Sequence, residues 1–221
     1  MQERFGFSIA EAFFYENGFY LTSHVKRVQK LIAHYELYKT IINIPGDILE
    51  FGVFKGASLL RFAQFRDILE TSYSRKIVGF DAFGEFPLPL DNTADQHFIE
   101  KFTEEAGCGI PVDDLQFFID NKGIANIDLV KGNILATLPS YLEKHPQLRI
   151  SLLHIDVDVY EPTRFILDRL YDRVVSGGII IFDDYATVAG ETDAVDQFLV
   201  NKNLRLLKPA ASHVPSYIVI P

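Results

Sequence analysis

Apolar positions along the chain fall into short unbroken runs, and between the runs they recur at helical spacing. That alternation predicts parallel strands covered on both faces by helices. The strands are Asp47-Ile-Leu-Glu-Phe-Gly52, Lys76–Asp81, Ile127–Lys131, Ile150–Ile155 and Ile179–Phe182. The intervening helices are read over Ala57–Phe65, over residues 95–122 with a break around Gly107-Cys-Gly109, and from about Ile134 to Lys144 with Pro139 as a local break. Two more run over Thr163–Val174, with Phe165, Ile166, Leu170 and Val174 apolar, and from about Thr192 to Leu199. Ser176-Gly177-Gly178 reads as a turn. Ahead of the first strand, apolar residues from Val25 to Ile42 predict a helix over His24–Ile42. Ser23 is its N-cap, and Lys26, Arg27, Lys30 and Lys39 lie mostly on its wet face. Leu204–Lys208 and Ser216–Ile220 predict two last strands; only a loop joins them, so they pair antiparallel.

Residues 1–22 break the pattern. They are aromatic and irregular, with Phe5, Phe7, Phe13, Phe14, Tyr15, Phe19 and Tyr20. They form either a lid over a small-molecule site or an arm against a second subunit. The division expected is therefore an arm and helix over 1–43 and one α/β domain over 44–221. Five βα steps ending in a reversed strand, seven strands in all, resemble the Rossmann-like class I methyltransferase fold, which binds S-adenosylmethionine.

Composition narrows the partners. With 48% apolar and 23% charged residues the chain can bury a core. A net charge of −9 disfavours nucleic acid and anionic membranes. The single cysteine, Cys108, rules out an internal disulfide or a thiolate zinc cluster. No secretory signal or bilayer-spanning run is read, so a soluble cytoplasmic protein is expected.

The first glycine turn is Glu-x-Gly-x-x-x-Gly, from Glu50 to Gly56, rather than G-x-G-x-x-G. A glutamate there is a poor neighbour for a pyrophosphate and suits a ligand with positive charge. Within the resembled fold, Gly52 and Gly56 let the backbone approach the methionine part of the cofactor, with Ser58 in the following turn. Glu50 lies near its ammonium or anchors the turn. Asp81 accepts from the ribose hydroxyls, and Lys131-Gly132-Asn133 borders the adenine. Asp156 stands where cofactor and acceptor meet.

Asp156 ends one strand, and Asp183 and Asp184 end the next. Adjacent strands lie roughly 5 Å apart, so these acids need a counter-charge. Oxygen-only ligands favour Mg²⁺, with Mn²⁺ or Ca²⁺ as alternatives. A metal beside a methyl donor would lower the pKa of an alcohol oxygen. Asp158, of the same strand parity as Asp156, is the expected general base, with His154, deeper in the strand, as second candidate. Tyr160 and Tyr185 either line the acceptor pocket or simply pack.

Four blocks carry a closer resemblance: Gly46-Asp-Ile-Leu-Glu-Phe-Gly-Val-Phe-Lys-Gly56, Gly79-Phe-Asp-Ala-Phe-Gly-Glu-Phe-Pro87, His154-Ile-Asp-Val-Asp-Val-Tyr-Glu-Pro-Thr163 and Gly177-Gly-Ile-Ile-Ile-Phe-Asp-Asp-Tyr185. In this order they resemble the macrocin O-methyltransferase family over roughly residues 22–200. The resemblance implies Mg²⁺ on Asp156, Asp183 and Asp184, with Asp158 as base. It implies a sugar or glycoside acceptor methylated on a deoxysugar hydroxyl, and a homo-oligomer in which N-terminal segments take part. The chain departs from the pattern at Val157, where many relatives carry Gly. It departs again at Gly190-Glu-Thr-Asp193, where a basic residue is common.

Three rival readings compete. Asp156-Val-Asp158 is also the Asp-x-Asp of metal-using glycosyltransferases that bind nucleotide sugars. Such enzymes have no need of the Glu50–Gly56 turn. A nicotinamide dehydrogenase lacks its fingerprint here. An inactive scaffold would have no reason to keep all four acids.

Overall fold

The computed structural model describes residues 3–88, 90 and 92–221. A small ribbon of β1 (Glu3–Arg4) and β2 (Phe7–Ser8) precedes helices α1 (Ala12–Thr22) and α2 (Val25–Thr40). Strand β3 (Asp47–Phe51) leads into α3 (Ala57–Leu69), and β4 (Ile77–Asp81) into α4 (Thr93–Ala106) and α5 (Val112–Lys122). Then come β5 (Ile127–Lys131), α6 (Ile134–Lys144), β6 (Ile150–Ile155), α7 (Tyr160–Leu170), β7 (Val174–Phe182), α8 (Ala189–Leu199) and β8 (Ser216–Val219).

The main sheet has the order β5-β4-β3-β6-β7-β8, all parallel except β7 with β8. Every residue of β6 is buried, as its apolar run requires of a strand covered on both faces. One core layer joins Phe51, Phe80, Leu153 and Ile166; the other joins Leu59, Phe62, Leu152 and Ile179. The order reverses between β3 and β6. Their carboxyl ends therefore frame the crevice in which open α/β sheets take ligands.

The α/β class and reversed last strand are as expected, but six described strands form this sheet, not seven. Leu207 meets Tyr217 in a single antiparallel bridge, with both hydrogen bonds at 2.8 Å. The next bonded pair in that register would be Pro209 with Pro215, and neither has an N–H to donate. Ser176-Gly177-Gly178 is not a turn: it lies inside β7. The pairing with β6 jumps there from Ile150↔Val174 to Leu152↔Ile179, and Gly177 takes φ 79°. Pro139 sits inside α6 without ending it. The helix read from Thr163 starts earlier, at Tyr160, so Pro162 falls in its first turn, where the missing N–H costs nothing.

The amino-terminal elements differ more. Residues 12–22 of the expected irregular arm are helical, and α1 buries none of its side chains. Met1 and Gln2 of that arm lie outside the described residues. The N-cap of α2 is His24, whose Nδ1 accepts the Lys26 N–H at 3.2 Å, not Ser23. The face of α2 that docks on the sheet carries Ala33, His34, Leu37 and Tyr38, while Val25 and Ile32 stay in solvent. Arg75 locks the carboxyl end of α2. Its buried guanidinium donates to the carbonyls of Ile41, Ile42, Ile44 and Gly46 at 3.1–3.3 Å and pairs with Glu70 at 2.7 Å. That clamp fixes which residues of α2 face the crevice. Among the described residues no helix is long and apolar enough to cross a membrane.

Candidate active site

A cavity of about 540 Å³ opens at the carboxyl ends of β3, β4, β6 and β7. Gly52, Ser58, Asp81, Gly132, Asn133 and Asp156 line it together, so most of the expected cofactor residues share one space. Local structure gives each a second task. Gly52 takes φ 89°, and a Cβ there would fall 1.7 Å from the Asp156 carbonyl oxygen. Glycine is needed for the close approach of the β3 and β6 ends as much as for any ligand. Asp81 Oδ2 accepts the N–H groups of Val53 and Phe54 at 2.8 and 2.9 Å, and Oδ1 accepts that of Phe83 at 2.6 Å. It thereby braces the glycine turn, with Oδ1 keeping a lone pair for a ligand. Asn133 caps α6 through Leu135 N–H at 2.9 Å.

Glu50 and Gly56 do not line the cavity. Glu50 is fully buried and accepts from Ser58 Oγ at 2.7 Å, which leaves it the anchoring role rather than contact with an ammonium. Gly56, at φ 80°, is the left-handed residue before α3. The expected loop over 82–94 contributes Phe86, Pro87 and Leu90 to the cavity, and α4 adds Phe98 and Phe102. Pro89 and Asp91 of that loop lie outside the described residues.

The acids sort into two groups. Asp156, Asp158 and Asp184 converge, each offering a carboxylate oxygen within 4.8 Å of the others. Two features aim Asp158 at this point. Val159 N–H closes a tight turn onto Val157 O at 2.7 Å, and Asp158 itself is held at φ 64°. That conformation is costly for a non-glycine residue and typical of functional sites. Burial and the neighbouring carboxylates, Asp183 for Asp156 and Asp184, and Asp184 for Asp158, push all three pKa values up. A carboxylate cluster that would rather hold protons than stand bare fits a divalent cation.

Asp183, expected to share that ion, lines the same cavity, but its carboxylate is engaged by basic partners. Lys30 donates to its Oδ2, while His154 Nε2 and His34 Nε2 lie 3.2 and 3.5 Å from Oδ1. Burial opposes its charge, but these partners hold the carboxyl well below its ordinary range. His154 is directly paired with Glu50 across β3 and β6, Nδ1 lying 3.6 Å from Glu50 Oε2. Burial would lower its pKa, yet the two flanking carboxylates raise it to about 10. His34 has burial and the charges of His154 and Lys30 against protonation, and falls to about 4. Glu50, His154, Asp183 and Lys30 thus form a buried chain of alternating charge, with neutral His34 stacked on Phe62 beside it. His154 lies within this chain and does not line the cavity, so its placement favours anchoring over proton transfer.

Sequence reasoning missed three residues. Lys30, assigned to the wet face of α2, reaches Asp183; its one-turn spacing from His34 was the available signal. Glu191, fully buried, accepts the Asp184 N–H at 2.9 Å, while its own N–H donates to Asp158 O at 3.0 Å. It ties the two acidic loops together. Arg61, on α3, also lines the cavity. Tyr160 and Tyr185 do not line it: their hydroxyls bond Gln197 and Asp196 of α8 at 2.6 and 2.7 Å, and Tyr160 lines a neighbouring cavity of about 200 Å³ that shares Leu90 and Glu161 with the first.

Comparison with known proteins agrees with this architecture. The family profile described as macrocin O-methyltransferase matches residues 23–209. An 8-demethyl-8-(2,3-dimethoxy-alpha-L-rhamnosyl)-tetracenomycin-C 4'-O-methyltransferase of Streptomyces olivaceus is 29% identical over 162 residues, 70% of this chain and 58% of that protein. The chain thus spans under two thirds of the length of the curated relatives it matches. The apo structure of CalS11, a TDP-rhamnose 3'-O-methyltransferase of calicheamicin biosynthesis, superposes with a TM-score of 0.68 at 28% identity, covering 96% of this chain and 87% of that one. The O-methyltransferase NovP gives a TM-score of 0.76 over 87% of this chain and 80% of that one; at 21% identity it speaks for the fold.

Proposed function

The chain belongs to the macrocin O-methyltransferase family, and from that premise we propose that it transfers a methyl group from S-adenosylmethionine to a deoxysugar hydroxyl. The acceptor is a nucleotide sugar or a glycosylated natural product, in line with the substrates named for CalS11 and the tetracenomycin enzyme. One observation carries the reading. The three converging acids face the same cavity as Gly52, Asp81 and Asn133, so a methyl donor and an activated hydroxyl would meet there.

Asp81, Gly52, Ser58, Gly132 and Asn133 would hold the donor. Asp156 and Asp184 would hold Mg²⁺, or Mn²⁺ or Ca²⁺, in this all-oxygen setting. Asp183 also lines the cavity, but Lys30 and His154 already engage its carboxylate, so it would stand beside the ion rather than hold it alone. A bound divalent cation would supply the charge that makes a hydroxyl more acidic. Asp158 would take the hydroxyl proton as the acceptor oxygen bonds to the methyl carbon and the carbon–sulfur bond breaks. Proton and methyl group are then both accounted for. Phe54, Phe86, Phe98 and Phe102 would keep water from this step and cover the ligands.

The exposed aromatic residues of α1, Phe13, Phe14 and Tyr20, with Leu21, support a homo-oligomer joined through this segment, since isolated apolar faces of that extent seek a partner. Light scattering on the purified protein tests it: a monomer would refute this part. The donor reading is tested by calorimetry. S-adenosylhomocysteine should bind at one site per chain while NAD gives no heat; the reverse would refute it.

A further inference from the structure

The cavity is electrically lopsided. Its acidic wall, at the ends of β6 and β7, includes Asp156, Asp158, Asp183 and Asp184, while Arg27 and Arg61 line it from α2 and α3 and Lys30 of α2 reaches across to Asp183. Lys30 is committed to Asp183. Arg27 and Arg61 make no side-chain hydrogen bond or ion pair to any described residue, although the chain carries an excess of nine negative charges. Two guanidinium groups left facing each other repel. Burial and the charge of Arg27 both push the Arg61 pKa down. A guanidinium partly withdrawn from water, with its planar fork empty, is built to receive a carboxylate or phosphate.

Position selects between those anions. Arg61 lies on α3, three residues beyond Ser58, in the helix that the Gly52–Gly56 turn opens. This is the turn against which the amino-acid part of the donor would lie, on the reading given above. The donor carries a cationic sulfonium and, at the far end of its amino-acid chain, a carboxylate. We propose that Arg27 and Arg61 form a carboxylate subsite for the amino-acid end of the methyl donor. Together with the acidic wall they orient the donor, drawing its carboxylate toward α2 and α3 and its sulfonium toward Asp156 and Asp158. The two arginines are positioning residues; neither touches the methyl group.

This inference rests on the donor reading, and the test separates the two. Calorimetry compares S-adenosylhomocysteine with S-adenosyl-3-thiopropylamine, the same molecule without its carboxylate, on the intact protein. The wild type should prefer the carboxylate form by about tenfold or more, as expected for charge-assisted bonds. Arg27→Gln/Arg61→Gln should bring the two ligands to near-equal affinity while leaving the decarboxylated ligand's binding unchanged. Arg27→Gln alone, on the exposed side of α2, should lose part of the preference with the melting transition intact. A preference unchanged in the double variant overturns the subsite. A preference unchanged together with loss of thymidine diphosphate binding overturns it and gives the pair to an acceptor phosphate. If neither adenosyl ligand binds the wild type, the donor reading itself fails.

Discussion

Gly52 and Asp156 touch backbone to backbone: a methyl group placed on Gly52 would sit 1.7 Å from the Asp156 carbonyl oxygen. The turn assigned to the donor and the acid assigned to the cation are therefore one mechanical unit. Gly52→Ala must push the β6 end away and also adopt φ 89°, which costs a non-glycine residue about 1–3 kcal/mol before the clash is counted. We expect a melting temperature lowered by several degrees and loss of both donor and cation binding, read by calorimetry. Retention of either ligand at wild-type affinity would separate the two sites.

Asp158→Asn keeps the shape but exchanges one carboxylate oxygen for an amide that cannot take a proton. Turnover should fall by about 10²-fold or more, with S-adenosylhomocysteine affinity within about twofold of wild type. His154→Gln is the contrasting variant. It leaves Glu50 and Asp183 without the charge between them, so stability should drop first, by about 3–5 kcal/mol. If instead Asp158→Asn turns over normally, the base lies elsewhere.

Glu191 offers a cleaner separation of shape from charge. Burial and the Asp184 charge raise its pKa well above the ordinary range, so the native state favours its neutral form. Glu191→Gln preserves the acceptor for Asp184 N–H and should cost little. Glu191→Ala leaves that buried N–H without a partner and should cost about 1–3 kcal/mol in chemical denaturation. The alanine variant should also weaken cation binding, because Asp184 then loses the side chain that fixes its own N–H.

The acidic cluster gives the protein a pH signature. Asp156, Asp158 and Asp184 have folded pKa values above their unfolded ones. The native state then holds their protons more tightly, and their contribution to stability is present at low pH. It is lost as pH rises from about 4 through the raised folded values. On the proposed reading a divalent cation would replace those protons. Adding Mg²⁺ should therefore raise the melting temperature, and by more at pH 8 than at pH 5. An equal rise at both would argue against carboxylate binding. Asp183 runs the opposite way: its depressed pKa stabilises the fold above about pH 4, and that contribution is lost as pH falls.

Much of this fold is written in periodicity. The buried run of β6 and the five βα steps are local signals, because a strand covered on both faces is mostly apolar, with Ser151 and His154 the polar exceptions in β6. The convergence of Asp156 with Asp184 follows from strand adjacency, once the topology is granted. What periodicity could not supply was direction. Asp183 and Asp184 are adjacent residues at a strand end that meet different partners, Lys30 and two histidines for one, Asp156 and Asp158 for the other. Nothing in Asp-Asp-Tyr says which of them meets Lys30. Lys30 itself looked solvated because Val25 and Ile32 drew the apolar stripe of α2 around the wrong side. The Arg75 clamp that fixes the true face spans 34 residues and is invisible to local pattern. The expected strand over Leu204–Lys208 shrinks to the Leu207–Tyr217 bridge, and Pro209 and Pro215 close off the ladder on one side of it.

Methyl transfer to a sugar hydroxyl can be followed by mass spectrometry. The protein would be incubated with methyl-labelled S-adenosylmethionine, Mg²⁺ and a panel of nucleotide deoxysugars and deoxysugar glycosides. At least one acceptor should gain a single labelled methyl group on oxygen, EDTA should stop the gain and fresh Mg²⁺ should restore it. Label that stays on the donor with every acceptor of both kinds, under conditions where donor binding is demonstrated, would contradict this transfer.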